Sequence, residues 1–230
     1  MLVCFWSPKG GSGTSVITAA AALLLARDRP DVRVADLTGD MPAVLALAND
    51  PALGLHDWLR TGVDAPVEAL DRLTVDAGTV GLLPAGALGI ANVAPEAGAA
   101  LAVALRGDPR PTMCDCGRLD SPVLRAVAEV AGACVVVVRP CYLALRSALQ
   151  HPALPFTSGV VLIEEHGRSL GFHDVGNVLG VPMLARVEAR TSTARAVDAG
   201  TLPSRLPESV ARPLRAALVH LGVSGGERAA

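Results

Sequence analysis

The stretch Ser7-Pro8-Lys9-Gly10-Gly11-Ser12-Gly13-Thr14-Ser15 decides the fold of this 230-residue chain. It follows the apolar run Leu2–Trp6, which predicts a buried strand, and it leads into the Ala/Leu-rich segment Ser15–Arg27, which predicts a helix. Glycines let backbone N–H groups turn inward without a Cβ clash, and the helix N-terminus adds partial positive charge. Strand, loop and helix together favour a phosphate-binding loop over an ordinary glycine-rich turn.

Strand-like and helix-like segments alternate along the rest of the chain. The next predicted strands are Val32–Asp36, Arg72–Val75, Val80–Leu83, Pro111–Asp115 and Cys134–Val138. This alternation predicts an α/β fold, a doubly wound and mostly parallel sheet flanked by helices. A single domain is expected over residues 1–222, followed by a disordered tail over residues 223–230. Ligands of such sheets bind outside the carboxyl ends of the strands.

Composition narrows the functional class. A net charge of −2 argues against direct, specific nucleic-acid binding. No apolar run reaches the roughly 18 residues of a membrane span, and the N-terminus lacks the basic lead of a signal peptide, so a cytoplasmic protein is expected. The five cysteines lack the spacing of a metal site and are expected to be mostly buried, small hydrophobic residues.

The basic residues are distributed unevenly by type. Of twenty basic residues, Lys9 is the only lysine, and it lies in the glycine loop. A compact ammonium on a flexible stem fits a phosphate where a wide guanidinium does not. We therefore prefer a ligand-binding role for Lys9 over codon bias and chance.

The loop resembles the deviant Walker A loop of the MinD/ParA family of P-loop ATPases, whose pattern is Lys-Gly-Gly-x-Gly-Lys-Thr/Ser. The resemblance implies ATP and Mg²⁺ as cofactors and a homodimer in which Lys9 reaches the nucleotide of the partner. The implied nucleotide-binding residues are Lys9, Gly10, Gly11, Ser12, Gly13, Thr14 and Ser15. Thr14 occupies the place of the usual P-loop lysine. Loss of that charge-assisted contact costs about 1.5–3 kcal/mol, or one to two orders of magnitude in ATP affinity.

Two acidic loops resemble further motifs of the same family. Asp36 matches the first position of its Asp-x-Asp loop, but Thr38 stands where the catalytic aspartate is expected. Asp40, two residues on, is a candidate replacement, although capping of the following helix is the better interpretation of it. For Asp36, magnesium binding and turn formation remain equally good interpretations.

Asp115 resembles the aspartate at the end of the family's Walker B strand. The resemblance implies a magnesium site formed by Ser15, Asp36 and Asp115, with the aspartates acting through water. On the base side, Ile163-Glu164-Glu165 stands where an Asn often contacts the base. The nearby Arg186, Arg190 and Arg195 are each better explained by surface solvation.

The resemblance leaves three functions open. The first is an ATP-dependent dimer switch that positions septum or pilus-assembly machinery through protein partners, with weak or lost hydrolysis because Thr14 and Thr38 replace the expected lysine and aspartate. The pilus-locus, CpaE/TadZ-like branch is a natural comparison because it tolerates altered nucleotide loops. The second is a nucleotide-independent pseudo-ATPase scaffold, and the third is a metabolic P-loop enzyme. Recruitment to a membrane or pole would be indirect, since the C-terminal stripe Val210, Leu214, Leu218 and Leu221 is expected to pack on the domain.

Overall fold

The computed structural model describes residues 1–223 and contains one sheet of eight strands within that range. In chain order the strands are β1 (Leu2–Trp6), β2 (Arg33–Asp36), β3 (Val75–Ala77), β4 (Val80–Leu83), β5 (Thr112–Asp115), β6 (Ala133–Val138), β7 (Gly159–Glu164) and β8 (Met183–Glu188). Their spatial order is β3-β4-β2-β5-β1-β6-β7-β8, and only β3 and β4 pair antiparallel. The predicted doubly wound, mostly parallel α/β fold is confirmed.

Helices cover both faces of the sheet. They are α1 (Thr14–Leu25), α2 (Met41–Val44), α3 (Leu55–Thr61), α4 (Ala69–Leu73), α5 (Pro95–Gly107), α6 (Pro122–Val130), α7 (Tyr142–Leu149), α8 (Phe172–Leu179), α9 (Thr191–Asp198) and α10 (Glu208–His220). Alternation along β1 shows the two layers, because Val3 and Phe5 pack with α1 on one face whereas Leu2, Cys4 and Trp6 pack with α5 and α6 on the other. None of the helices in residues 1–223 combines the length and apolarity that a bilayer span requires.

The C-terminal helix α10 packs against α1, as its apolar stripe predicts. Val210, Leu214 and Leu218 are buried in the same core as the leucines of α1. Val223, which the sequence placed in the tail, is also buried, and its carbonyl accepts a hydrogen bond from the Arg29 guanidinium at 3.3 Å. The rest of the predicted tail, residues 224–230, lies outside the described residues.

One predicted strand is wrong at its start. Arg72–Val75 was expected to be extended, but helix α4 continues through Leu73 and β3 begins only at Val75. The Thr74 N–H and hydroxyl both donate to the Leu70 carbonyl, which ends the helical turn before the short antiparallel edge strand starts.

An ion cluster lies at the edge of the sheet opposite the polar loops. The side chain of Arg33 on β2 is 2% exposed, pairs with Asp71, and lies 3.0 Å from Asp108. Arg110 contacts the same two carboxylates at 2.6 Å but is more exposed. The cluster therefore ties β2 to α4 and to the segment after α5.

We expect Arg33→Met to lower the free energy of unfolding by about 2 kcal/mol, because it leaves a part-buried carboxylate with one cation fewer. The figure is below that of a fully buried pair because Asp71 is largely exposed to solvent. Urea unfolding gives the value, and Arg110→Met is the matched control with a smaller expected loss. Equal losses for both variants would contradict the burial argument.

Candidate functional site

Three polar loops meet where β1, β2 and β5 end. Strand β5 lies between the other two, so that Asp115 is in register with Phe5 on one side and with Asp36 on the other. Backbone hydrogen bonds continue beyond the strands, from Cys116 N to Phe5 O at 2.9 Å and from Ser7 N to Gly117 O at 2.8 Å. The glycine loop and both acidic loops are therefore held at one edge of the sheet.

The loop between β1 and α1 forms a cradle of backbone amides. Gly11 and Gly13 have φ values of 74° and 89°, a left-handed conformation that strains any other residue. The hydroxyls of Ser7 and Ser12 donate to the Lys9 carbonyl at 3.1 and 2.7 Å and close the loop. Within residues 1–223, the amides of Gly10 through Ser15 donate to no protein acceptor. This run of free donors at a helix N-terminus is the geometry that binds anions.

Thr14 begins α1 and carries a hydroxyl without a partner. The residue is 6% exposed, lines the cleft above the loop, and its Oγ1 forms no hydrogen bond with any atom of residues 1–223. A buried hydroxyl in this state loses free energy unless a ligand supplies the missing bond. The orphaned donor fits the amide cradle and points to the same kind of ligand, one that presents oxygen atoms.

Lys9 lies on the exposed rim of the loop. Its ammonium forms no ion pair or side-chain hydrogen bond within the described part of the chain. Only its carbonyl is used, as the acceptor that closes the loop. The ammonium therefore remains available for a ligand or a second molecule.

Asp115 is the buried carboxylate of the site. It is fully buried; its Oδ1 accepts a hydrogen bond from Gly117 N at 3.0 Å, and its Oδ2 lies 3.3 Å from the hydroxyl oxygen of Thr38. Burial raises the pKa of Asp115 to about 7, and the nearby charge of Asp36 adds to the effect, whereas the Ser15 hydroxyl and the Gly117 amide oppose it. A nearby cation would reverse this shift.

The carboxylate of Asp36 accepts hydrogen bonds from the loop that follows it. Its Oδ1 accepts hydrogen bonds from Thr38 N, the Thr38 hydroxyl and Gly39 N, at 2.8 to 3.0 Å, and its Oδ2 accepts one from Met41 N at 3.1 Å. The residue has no exposed surface. This pattern is that of a turn-forming aspartate, so for Asp36 the geometry favours turn formation over magnesium binding. It also explains how Thr38 is fixed with its hydroxyl between Asp36 and Asp115.

Asp40 faces the glycine loop across the cleft. The Ser15 hydroxyl donates to its Oδ2 at 3.5 Å, and its carboxylate makes no capping bond to α2. Asp40 is exposed and lines the same cleft as Thr14 and Thr38. The structure thus brings Ser15, Asp40 and Asp115 together, with Asp36 supporting the loop behind them.

Two clefts meet at Ser12, Gly13 and Val16. The first cleft, about 650 Å³, lies over the amide cradle and is called the phosphate cleft below. It also contacts Arg118, which the sequence alone did not indicate although Arg118 directly follows the Asp115 loop. Arg118 pairs with Asp120 at 3.3 Å, with both side chains exposed. Its charge gives the cleft a cation beside the glycine loop, since a Cβ at Gly10 would lie 3.9 Å from Arg118 Cδ.

The second cleft, about 470 Å³, is lined largely by apolar side chains such as Ile163 and Val187. Arg139 Nε and Thr193 Oγ1 are buried there without a partner among residues 1–223. Of the three arginines expected on this side, only Arg190 lines the cleft, and it is paired with Glu188. Arg186 is paired with Glu164 instead. An apolar cleft with a few free donors suits a flat, partly polar ring system.

A parallel sheet with an amide cradle between its first strand and first helix is the arrangement found in the P-loop fold. A ParA family ATPase from Chlorobium tepidum TLS matches with a TM-score of 0.78 at 22% identity, covering 94% of this chain and 97% of that one. The septum site-determining protein MinD from Pyrococcus horikoshii OT3, complexed with Mg-ADP, matches with a TM-score of 0.78 at 20% identity, covering 97% of each chain. The MinC:MinD cell division complex of Aquifex aeolicus matches with a TM-score of 0.75 at 17% identity, covering 99% and 98%.

The chain therefore has the fold of the MinD and ParA ATPases over almost its whole length, as the resemblance in its glycine loop predicts. No protein-family model matches the sequence, and no curated protein matches it significantly.

Proposed function

We propose that the chain is a positioning ATPase of the MinD/ParA type, a dimer switch that binds ATP with Mg²⁺ and hydrolyses it weakly or not at all. The observation that carries this proposal is the amide cradle of Gly10–Ser15 with the orphaned Thr14 hydroxyl inside it. A metabolic P-loop enzyme is less well supported, because among the described residues the cleft shows no cluster of acid–base groups beyond Asp40 that would serve a second substrate.

The two clefts divide the nucleotide between them. The polyphosphate would lie on the cradle, and the base and sugar would lie in the apolar cleft that shares Ser12, Gly13 and Val16 with it. Arg139 Nε and Thr193 Oγ1 are the free donors on the nucleoside side. Two adjoining clefts, one polar and one apolar, thus suit a single ligand that has a charged end and a flat ring at the other end.

The donor set at the cleft fits magnesium. The Ser15 hydroxyl and the carboxylates of Asp40 and Asp115 are the hard oxygen donors that Mg²⁺ prefers, with Asp36 fixing the adjacent loop. The ion would supply charge neutralisation to the phosphates. Asp115 would act through a bound water, as carboxylates commonly do for this ion.

Weak hydrolysis follows from what the chain places around the phosphates. Thr14 gives a neutral hydroxyl where a charge would stabilise the transferring group. Thr38 has no carboxylate with which to orient an attacking water molecule, and its hydroxyl lies between Asp36 and Asp115. Asp40 is the one exposed carboxylate among the described residues lining the phosphate cleft that is not paired with an arginine, so residual turnover is assigned to it.

Equilibrium binding of labelled ATP, with and without Mg²⁺ and followed by a turnover assay, tests the function. Binding that requires Mg²⁺, with little turnover, is the expected result. Absence of binding at millimolar ATP would overturn the switch and favour the alternative, a nucleotide-independent scaffold of the same fold. Rapid turnover would contradict the roles assigned to Thr14 and Thr38.

Lys9→Ala is expected to abolish ATP-dependent dimerisation while leaving the fold intact, because an exposed, unpaired ammonium has no packing role to lose. Sedimentation velocity with and without ATP and Mg²⁺ measures the effect. Arg60→Ala, which removes an exposed cation on α3 away from the phosphate cleft, is the matched control and should dimerise normally. A Lys9→Ala profile identical to that of the control would remove the intersubunit role.

The cellular process rests on likeness of fold. Positioning of septum components agrees with the MinD neighbours of known structure. Positioning of pilus-assembly components, and recruitment of a cytoplasmic dimer to a membrane or pole by a protein partner, are proposed from the resemblance of the glycine loop alone. Affinity purification in the presence of ATP, using Lys9→Ala as the negative arm, would identify the partner class. A partner set that is the same for both arms would argue for the scaffold.

A further inference from the structure

Three cysteine side chains converge beneath the phosphate cleft. Cys4 lies in the middle of β1, Cys114 is its register partner on β5, and Cys116 follows two residues later on the same face. Their sulfur atoms all lie within 4.8 Å of one another, with Cys114 and Cys116 at 3.6 Å. Each residue has no exposed surface, so the fold has gathered three soft donors in one dry position.

The spacing of these sulfurs is that of ligands around a single ion. Thiolates bound to one metal at about 2.3 Å lie about 4 Å apart in a trigonal arrangement. The observed separations, 3.6 Å for one pair and at most 4.8 Å for the others, bracket that value. A disulfide would instead require two of the sulfurs to approach to about 2.05 Å, which the Cys114–Cys116 separation does not provide.

The number and softness of the donors select the ion. The group contains three sulfurs and no oxygen or nitrogen ligand atom among residues 1–223. Zn²⁺ in a structural site takes four ligands, whereas a soft monovalent d¹⁰ ion is satisfied by two or three thiolates.

The phosphate cleft offers the way in. Cys116 lines that cleft although its own surface is covered, so a small rearrangement of the loop at Gly117 would expose the sulfur. As each metal–sulfur bond forms, the thiol proton that it replaces passes to solvent, with no change in the oxidation state of the ion or the sulfur.

We propose that Cys4, Cys114 and Cys116 form a binding site for one Cu(I) ion directly beneath the phosphate cleft. The site does not depend on the proposed nucleotide function, because its donors are sulfurs of the core layer and not the polar groups of the loops.

Anaerobic titration of the full chain with Cu(I), against a chromophoric Cu(I) chelator, tests the proposal. We expect one equivalent to be withdrawn from the chelator, with an ultraviolet sulfur-to-copper charge-transfer band. Cys4→Ala and Cys116→Ala should each reduce the affinity by at least about 100-fold. Cys134→Ala is the matched control, because Cys134 is buried in the same layer and is in register with Cys4, yet its sulfur is outside the group.

X-ray absorption on the wild-type complex gives a readout that needs no substitution. A first shell of about three sulfurs supports the site, and a shell containing oxygen or nitrogen overturns it. Failure to compete for Cu(I), tighter binding of Zn²⁺ in a parallel competition, or an equal loss in Cys134→Ala would each overturn the proposal.

Discussion

Thr14→Lys is expected to tighten binding of ATP in the presence of Mg²⁺ by about 10- to 100-fold. Thr14 lines the phosphate cleft at the first position of α1, so a lysine there has a direct path to the phosphates. Adding one charge-assisted hydrogen bond contributes about 1.5–3 kcal/mol, which corresponds to that range of affinity. In the ligand-free protein the same substitution should lower the free energy of unfolding by about 0.3–1 kcal/mol, because a cation at a helix N-terminus is repelled by the helix dipole.

Because Thr14→Lys should raise ATP affinity but lower the stability of the ligand-free protein, the experiment is specific. Titration calorimetry should show the gain in affinity, and thermal unfolding without nucleotide should show a small loss of stability. Thr14→Val is the control, since it keeps the shape but removes the orphaned hydroxyl. We expect Thr14→Val to leave the ligand-free protein as stable or slightly more stable and to weaken ATP binding. A folded Thr14→Lys protein without any gain would mean that the cleft is not shaped for polyphosphate.

The fold could be predicted from the sequence because its decisive signal is local. Strand, glycine loop and helix are consecutive over residues 2–25, and glycine stands at positions 11 and 13, where the loop adopts positive φ values. Alternation of later segments then predicts the doubly wound sheet. The edge of the sheet was predicted less well, since the boundary between α4 and β3 is set by hydrogen bonds from Thr74 and not by apolar periodicity.

Tertiary register decides what the sequence left open. Asp36 had two equal interpretations, and the loop amides that surround it distinguish them only after β2 is placed beside β5. The cysteines show the same limit more sharply. Cys114 and Cys116 suggest little by themselves, and Cys4 joins them only because β1 lies next to β5 in the sheet. Spacing along the chain carries no such information.

Asp115→Asn is expected to stabilise the ligand-free protein at pH 8. The folded-state pKa of Asp115 is about 7, above the ordinary aspartate pKa of 3.8, so the folded state favours the protonated carboxyl. Its contribution to stability is present below pH 3.8 and is lost as the pH rises toward 7, by up to about 4 kcal/mol. An amide cannot ionise, so the variant should lack this loss and unfold about 10 °C higher than the wild type at pH 8.

The pH profile of thermal unfolding from 4 to 8 measures the effect, and Asp36→Asn provides a control of opposite sign. Asp36 accepts three backbone N–H groups and a hydroxyl, so replacing one of its oxygens with a donor leaves buried partners unsatisfied and should cost about 1–3 kcal/mol. Addition of ATP and Mg²⁺ should stabilise the wild type at pH 8 more than it stabilises Asp115→Asn, because a cation near the ionised carboxylate removes the penalty of its burial. If Asp115→Asn lowers stability at pH 8 as Asp36→Asn does, the carboxylate is a structural acceptor and the fold does not hold it ready for a cation.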